Sequence, residues 1–149
     1  MKKFRFTLEK LKDFRGQELD RQKNALSALQ AELRRINESA EELRRKVAAE
    51  SAQLTAVCAS GATASDIAMR KRYIVTLQQE IHMKEQQALA KQQEIEKQLD
   101  AVVEATKDVK TLEKLEEKQL EEYKSLETKE NEQFIEEFVS GQTVRAGSH

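Results

Sequence analysis

The sequence predicts an all-α protein in which two long helices form an antiparallel coiled-coil hairpin. The chain of 149 residues contains no Pro and only four Gly, the residue types that most often interrupt helices. Charged residues make up 36% of it, more than an ordinary compact globule carries. Apolar residues recur in alternating steps of three and four along most of the chain, which is typical of coiled-coil strands.

The first helix is predicted at about residues 4–58. From Leu19 onwards its seam positions are mostly apolar, and Glu, Arg, Lys, Gln and Ser dominate the positions between them. Before Leu19 the stripe contains an extra four-residue step at Arg15, and such an insertion locally unwinds a supercoil. The seam positions are Leu19, Gln22, Leu26, Leu29, Leu33, Ile36, Ala40, Leu43, Val47, Glu50, Leu54 and Val57.

A turn is predicted at about residues 59–65, where large periodic apolar side chains are missing. Gly61 lies in this segment among Ala, Ser and Thr, and glycine can end a helix by adopting a positive φ. Thr63 and Asp66 match a capping box, with Ser65 as a rival N-cap. A new helix is therefore expected to begin within a residue or two of this segment.

The second helix is predicted at about residues 66–138 and has a more polar seam. The same alternation continues from Ile67, with Arg70, Lys84, Lys91 and Gln98 at some of the seam positions. Two long stripes joined by a short turn bury each other by folding back antiparallel. The predicted domain is thus a single hairpin over residues 1–139.

The pairing of the two helices predicts which residues meet and which do not. With the turn centred near residue 62, Lys91 lies opposite Leu33, where its stem can cover apolar surface while its ammonium group stays in water. Residues beyond about Tyr123 overhang the first helix. The apolar residues of this overhang indicate a partner-binding or conditionally folded segment, or else a frayed, solvated end. Residues 140–149 are expected to be a disordered tail.

No feature of the sequence predicts catalysis, a cofactor or a metal. A hydrolase, transferase or metal enzyme needs a concave site with converging groups, which a two-helix hairpin does not offer. The glycines are isolated from one another, so no phosphate-binding loop is present. His82 and His149 lie outside metal-binding spacings, and the single Cys58 has no second thiol. We therefore expect a non-enzymatic protein.

The charge pattern and hydropathy limit the partners. No 18-residue apolar run or signal peptide is visible, which predicts a soluble protein without membrane insertion. The short basic cluster at residues 70–72 is typical of a solvated helix face, and no nucleic-acid binding is expected. A second basic set either contacts a protein or acidic lipid, or offsets the acidic residues of the second helix. Its members are Lys2, Lys3, Arg5, Lys10, Lys12 and Arg15.

Three segments and an acidic ending, taken in order, resemble the flagellar export protein FliJ family. FRFTLEKLKDFR, from Phe4 to Arg15, is similar to the family's opening of an aromatic, a basic residue and a Leu-x-x-Leu step. RKRYIVTLQQEI resembles the basic, Tyr and Leu start of the family's second helix. LEKLEEKQLEEY resembles its Leu-Glu-Lys-Leu block, and Glu132-Gln133 with Glu136-Glu137 resembles its acidic ending. The family's basic block before Leu112 is reduced here to Lys107 and Lys110.

The resemblance implies a soluble, non-enzymatic component of the flagellar type III protein export apparatus. Its fold would be like the coiled coil of the rotary ATPase gamma subunit. Such proteins insert the end that carries both termini into the export ATPase ring, promote ring assembly and contact the cytoplasmic domain of the export gate protein. They also escort export chaperones. The implied location is cytoplasmic, peripherally associated with the inner membrane at the flagellar base, with a role in motility and chemotaxis.

The resemblance also implies site residues, by position. Two alternatives to the flagellar export function remain, namely the equivalent stalk of a virulence type III secretion system and a generic coiled-coil oligomeric scaffold. The site residues below are those that the flagellar resemblance implies. Export-gate binding would fall to Tyr73 and His82. Binding to the ATPase ring would fall to Phe4, Arg5, Phe6, Leu8, Leu11, Arg15, Leu112, Lys114, Leu115 and Tyr123.

Overall fold

A computed structural model describes residues 2–147 of the protein, with side chains for residues 2–142. Two long helices account for most of these residues. Helix α1 spans Glu9–Ala59 and helix α2 spans Ala64–Gly147, and the two pack against each other as a helical hairpin. Within the described residues there is no strand. The predicted all-α hairpin is confirmed.

The turn between the helices has the predicted chemistry. Gly61 adopts a φ of 85°, the left-handed conformation that glycine tolerates best. The N–H of Ala62 donates to the carbonyl oxygen of Val57 at 3.2 Å, which satisfies one of the last carbonyl groups of α1. At the start of α2, the Thr63 hydroxyl accepts a hydrogen bond from the N–H of Asp66 at 3.2 Å. Thr63 is therefore the N-cap.

The helix ends differ from the sequence-based bounds. Helix α1 begins at Glu9, and residues 2–6 follow a non-helical path. The N–H of Glu9 donates to the carbonyl oxygen of Phe6 at 3.3 Å, so the helix starts from the aromatic segment instead of containing it. Helix α2 continues past residue 138 to Gly147, into the segment expected to be a disordered tail. His149 lies outside the described residues.

Packing divides the chain into two compact units. The turn unit comprises Arg21–Val102, and the terminal unit combines Met1–Asp20 with Val103–His149. In the turn unit the predicted seam positions of both helices are the less exposed ones, and Leu77 is the most deeply buried of them, at 3% exposure. Ala40 and Leu43 are also buried, whereas most seam residues are only half-buried. This is the burial expected when each helix has a single neighbour.

Two polar seam residues of the turn unit, Lys91 and Gln98, pair across the hairpin. Lys91 Nζ lies 2.7 Å from the Glu32 carboxylate, next to the predicted neighbour Leu33. The side-chain amide of Gln98 donates to the Gln22 side-chain oxygen at 2.7 Å and to the Gln22 carbonyl oxygen at 2.9 Å. These contacts satisfy polar groups that would otherwise be desolvated in the seam.

We expect Gly61→Ala to lower the free energy of unfolding by about 1 kcal/mol, because alanine is strained at a positive φ. No atom would crowd the added Cβ, so the backbone conformation alone carries the effect. Gly16→Ala is the matched control. Gly16 lies inside α1 with equally open surroundings, so this change should stabilise the protein by about 0.5–1 kcal/mol. Denaturant unfolding followed by circular dichroism measures both, and equal effects would contradict the assigned turn.

The Lys91–Glu32 pair should contribute to the pH dependence of stability. A hydrogen bond and the charge of Lys91 lower the pKa of Glu32, so the pair stabilises the fold at neutral pH. That contribution is lost as the pH falls through the lowered pKa of Glu32. We expect Lys91→Met to flatten the acid limb of a plot of Tm against pH. Lys107→Met is the control, since Lys107 pairs only locally with Glu104 at an exposed site. An unchanged acid limb in Lys91→Met would contradict the role of this pair.

Candidate partner-binding surface

The N-terminal residues 2–6, hereafter the N-terminal strap, are attached to α2 within the terminal unit. Phe6 is buried, at 7% exposure. The Phe4 ring packs against the Tyr123 ring with 5.5 Å between centroids and 54° between the ring planes. The Tyr123 hydroxyl donates to the carbonyl oxygen of Lys2 at 2.5 Å. Aromatic packing and one hydrogen bond thus hold a segment that has no helical bonding of its own.

A tyrosine phenol has an ordinary pKa of about 10 and is protonated at neutral pH, and the surroundings of Tyr123 favour that form further. Partial burial, and then the charge of the Glu127 carboxylate, raise the pKa of Tyr123 above its ordinary value. A protonated phenol can donate a hydrogen bond throughout the physiological pH range. The contact to the Lys2 carbonyl is therefore available whenever the strap is in place.

Two ion pairs join the first turns of α1 to the acidic face of α2. Lys12 Nζ lies 2.6 Å from the Glu116 carboxylate, and this hydrogen bond raises the pKa of Lys12. The Arg15 guanidinium lies 3.9 Å from the Asp108 carboxylate. Within the basic N-terminal set, Lys12 and Arg15 therefore pair with acidic residues of the second helix, which was one of the two sequence-based expectations for this set. Pairs at this level of exposure contribute little stability, but they favour one orientation of the two surfaces.

The residues expected to face an ATPase ring all belong to the terminal unit, and they differ in accessibility. Phe6 and Leu112 are buried, at 7% and 8% exposure, so they hold the hairpin together and offer little surface to a partner. The half-buried residues are Phe4, Arg15, Leu115 and Tyr123. The exposed residues are Arg5, Leu8, Leu11 and Lys114.

Phe14 is an accessible aromatic residue that the sequence reasoning missed. Half of its surface is exposed, and the Arg15 guanidinium carbon lies 5.8 Å from the centre of its ring. Such an arrangement is a favourable cation–π geometry. Phe14 lies outside the apolar stripe of the predicted helix. A large aromatic residue at such a position is expected to be exposed, and this signal could have identified it from the sequence. Together with Leu8 and Leu11 it gives the basic start of α1 an apolar component.

The strap also borders an open surface hollow of about 780 Å³ in the terminal unit. Arg5 and Lys10 contribute positive charge to it, and Glu116 contributes negative charge from α2. Phe4, Phe6, Thr7 and Glu9 complete the lining. A mixture of basic and aromatic side chains around a shallow hollow suits contact with another protein's side chains better than it suits a small ligand.

The two residues expected to contact an export gate lie in the turn unit and are both exposed. Tyr73 borders a shallow hollow together with Met69 and Arg70. His82 borders a different one, next to Val75 and Met83. The structure therefore makes Tyr73 and His82 accessible without bringing them into one hollow.

The last described part of α2, residues 124–142, is exposed at every position and is hereafter the acidic overhang. Its large apolar side chains include Leu126 and Phe134, which are 57% and 69% exposed. Ile135 and Phe138 are each 59% exposed. The helix thus continues beyond Tyr123 as an exposed segment, at the position where the sequence predicts the overhang.

Two further findings limit the chemistry of the described residues. No group of three or more His, Cys, Asp or Glu side chains among them is arranged to hold a metal ion. Neither of the two helices, over the residues described, combines the length and the hydropathy needed to cross a membrane.

The N-terminal strap should open when its contacts to Tyr123 are removed. We expect Tyr123→Ser to speed tryptic cleavage after Lys3 and Arg5 about fivefold or more, because ring packing and a hydrogen bond worth about 1 kcal/mol are lost. Tyr123→Phe keeps the ring and should lie between the wild type and Tyr123→Ser. Tyr73→Ser removes an exposed tyrosine from the turn unit and serves as the control. Equal cleavage rates in all four proteins, followed by mass spectrometry, would contradict the docked strap.

The chain matches the model of a known protein family. The family model described as "Flagellar FliJ protein" matches residues 4–148, nearly the whole chain, including both helices and the turn. No curated protein and no solved structure matches the chain significantly. The family resemblance carried by the three sequence segments is therefore confirmed.

Proposed function

The chain belongs to the flagellar FliJ protein family, and from this we propose that it is the coiled-coil stalk that binds the flagellar export ATPase ring and promotes its assembly. The family supports a flagellar, export-associated coiled-coil protein and is a non-catalytic component of export. We accordingly propose that this chain is not an enzyme and that ATP hydrolysis belongs to its partner.

The accessible basic and apolar residues of the terminal unit support the ring-binding proposal. Arg5 and Lys10 are exposed beside the N-terminal strap, and Leu8, Leu11 and Phe14 are exposed at the start of α1. Apolar contact combined with charged side chains that complement a partner is a common basis for specific and rapid protein association. In this proposal the buried Phe6 and Leu112 act indirectly, by holding the two helices and the strap in place.

The gate and chaperone contacts form the remaining parts of the proposal. Tyr73 and His82 are exposed in the turn unit, which supports a contact with the cytoplasmic domain of the export gate protein. Escort of export chaperones would make the protein a link between substrate delivery and the ATPase. Such a protein works in the cytoplasm and associates peripherally with the inner membrane at the flagellar base, where it serves motility and chemotaxis.

The family match weighs on one alternative, the virulence stalk, and the structure weighs on the other, the oligomeric scaffold. The family match favours the flagellar system over a virulence type III secretion system. A coiled-coil scaffold would have to bury its polar seam in an oligomer, yet Lys91 and Gln98 already have partners in Glu32 and Gln22 of the same chain. Lys91 and Gln98 therefore do not require a second copy of the chain as a partner. This observation favours a stalk over an oligomeric scaffold.

Charge reversal at the strap tests the ring-binding proposal. We expect Arg5→Glu to weaken stimulation of the cognate export ATPase, with an apparent affinity loss of about tenfold, because a favourable interfacial charge becomes repulsive. Arg15→Glu should act in the same direction. Arg15→Glu also removes the contact with Asp108, so circular dichroism must first show that this variant is folded. ATP hydrolysis by the hexamer, measured against the concentration of this chain, gives the affinity.

Arg45→Glu is the matched control for that experiment. Arg45 is exposed on α1 in the turn unit, so its reversal changes the net charge equally at a different surface. Stimulation by Arg45→Glu should equal that by the wild type. Unchanged stimulation by Arg5→Glu, or an equal loss in Arg45→Glu, would contradict the ring-binding role of the terminal unit.

A further inference from the structure

We propose that the acidic overhang is a docking helix for a helical protein that presents an apolar groove bordered by Lys and Arg side chains. This inference goes beyond the proposed ring and gate contacts, because none of the residues assigned to them lies within residues 124–142. It rests on an apolar face, on the charge around that face, and on the way the preceding part of α2 is covered.

The apolar face is formed by Phe134, Ile135 and Phe138. Phe134 and Phe138 are four residues apart and therefore neighbours on consecutive turns, and Ile135 lies beside them. All three are more than half exposed. Single exposed apolar residues are ordinary, but two phenylalanines and an isoleucine together on one helix face are the pattern of anchors for a groove.

Acidic side chains surround this face. Glu132, Glu136 and Glu137 are exposed within one turn of the apolar residues, and Glu127 lies closer to Tyr123. Lys124 and Lys129 are the basic residues of the overhang, so acid predominates. An interface that covers the apolar face brings the carboxylates to its rim, where Lys or Arg side chains of the partner would be complementary.

The covered part of α2 indicates the chemistry that packs on this helix. Immediately before the overhang, Glu116 is paired with Lys12, and the Tyr123 ring is packed against Phe4. The cover is thus a basic segment with interspersed aromatic residues. The overhang continues the same acidic helix beyond the point where this cover ends, so a partner with similar chemistry can extend the coverage.

The other occupants suit the overhang less well. A second copy would bring two acidic helices together, and the like charges would repel at the rim of the contact. An anionic membrane surface would repel the same carboxylates. A basic-rimmed protein groove is the occupant that satisfies both the apolar residues and the charge.

The test uses a synthetic peptide with the sequence of residues 2–15, KKFRFTLEKLKDFR, as a probe of basic and aromatic chemistry. Fluorescence anisotropy measures its binding to the full chain. We expect Phe134→Ser combined with Phe138→Ser to weaken binding about tenfold or more, because two large apolar contacts are lost. Leu89→Ser combined with Leu99→Ser is the matched control, since it removes two exposed apolar residues of α2 from the turn unit.

Two further measurements complete the test. Raising the salt concentration from about 50 to about 500 mM should weaken binding at least threefold, because charges at the rim are screened. A peptide with every Lys and Arg replaced by Glu should bind at least tenfold more weakly, because its charges would repel the overhang. Both results would support a basic-rimmed partner.

Several outcomes would overturn the inference. One is equal binding of the peptide to the wild type and to the doubly substituted overhang, as occurs if the peptide only displaces the N-terminal strap. Another is failure of the wild-type chain to bind the peptide at all. A third is a concentration-dependent mass in sedimentation equilibrium that the Phe134→Ser, Phe138→Ser chain lacks, since a second copy would then cover the overhang. The assay contains no ATPase, so its result is independent of the ring-binding experiment.

Discussion

The structure depends on one constraint, which is that each helix has a single neighbour against which to bury its apolar stripe. A helix in a globule is covered on several sides, whereas here burial is confined to the seam between α1 and α2. Leu77 and Leu43 are buried in this seam, but most of its residues are only half-buried. The hydrophobic contribution per residue is therefore small. A charged residue such as Lys91 can occupy a seam position because the exposed Glu32 beside the seam pairs with it.

The same constraint explains why the terminal unit leaves large apolar side chains of α2 exposed. Helix α2 is 84 residues long and α1 is 51, so α2 extends beyond the residues that α1 can cover. The N-terminal strap extends the coverage to Tyr123 by adding aromatic packing. Beyond Tyr123 the helix keeps its backbone hydrogen bonds, but its large apolar side chains stay more than half exposed.

Functionally, the protein separates residues that build the hairpin from residues that can meet a partner. Phe6 and Leu112 belong to the first group, although the family resemblance places them among ring-facing positions. Arg5, Leu8, Leu11 and Phe14 belong to the second. Substituting a residue of the first group changes binding by destabilising the fold. Substituting a residue of the second group changes the contact surface and leaves the fold intact.

The sequence by itself determined the seam positions, the turn at Gly61 and the overhang after Tyr123. These features follow from local periodicity and from the length of each stripe, which a sequence displays directly. The sequence offered Thr63 and Ser65 as N-caps, and the structure decided for Thr63. Only the tertiary structure decided that α1 begins at Glu9, that Phe6 is buried and that Lys12 pairs with Glu116. Residues 4–8 continue a helical pattern, but the contacts of Phe4 and Lys2 with Tyr123 join positions far apart in the chain. Local patterns do not encode such contacts, because they depend on where a distant helix lies.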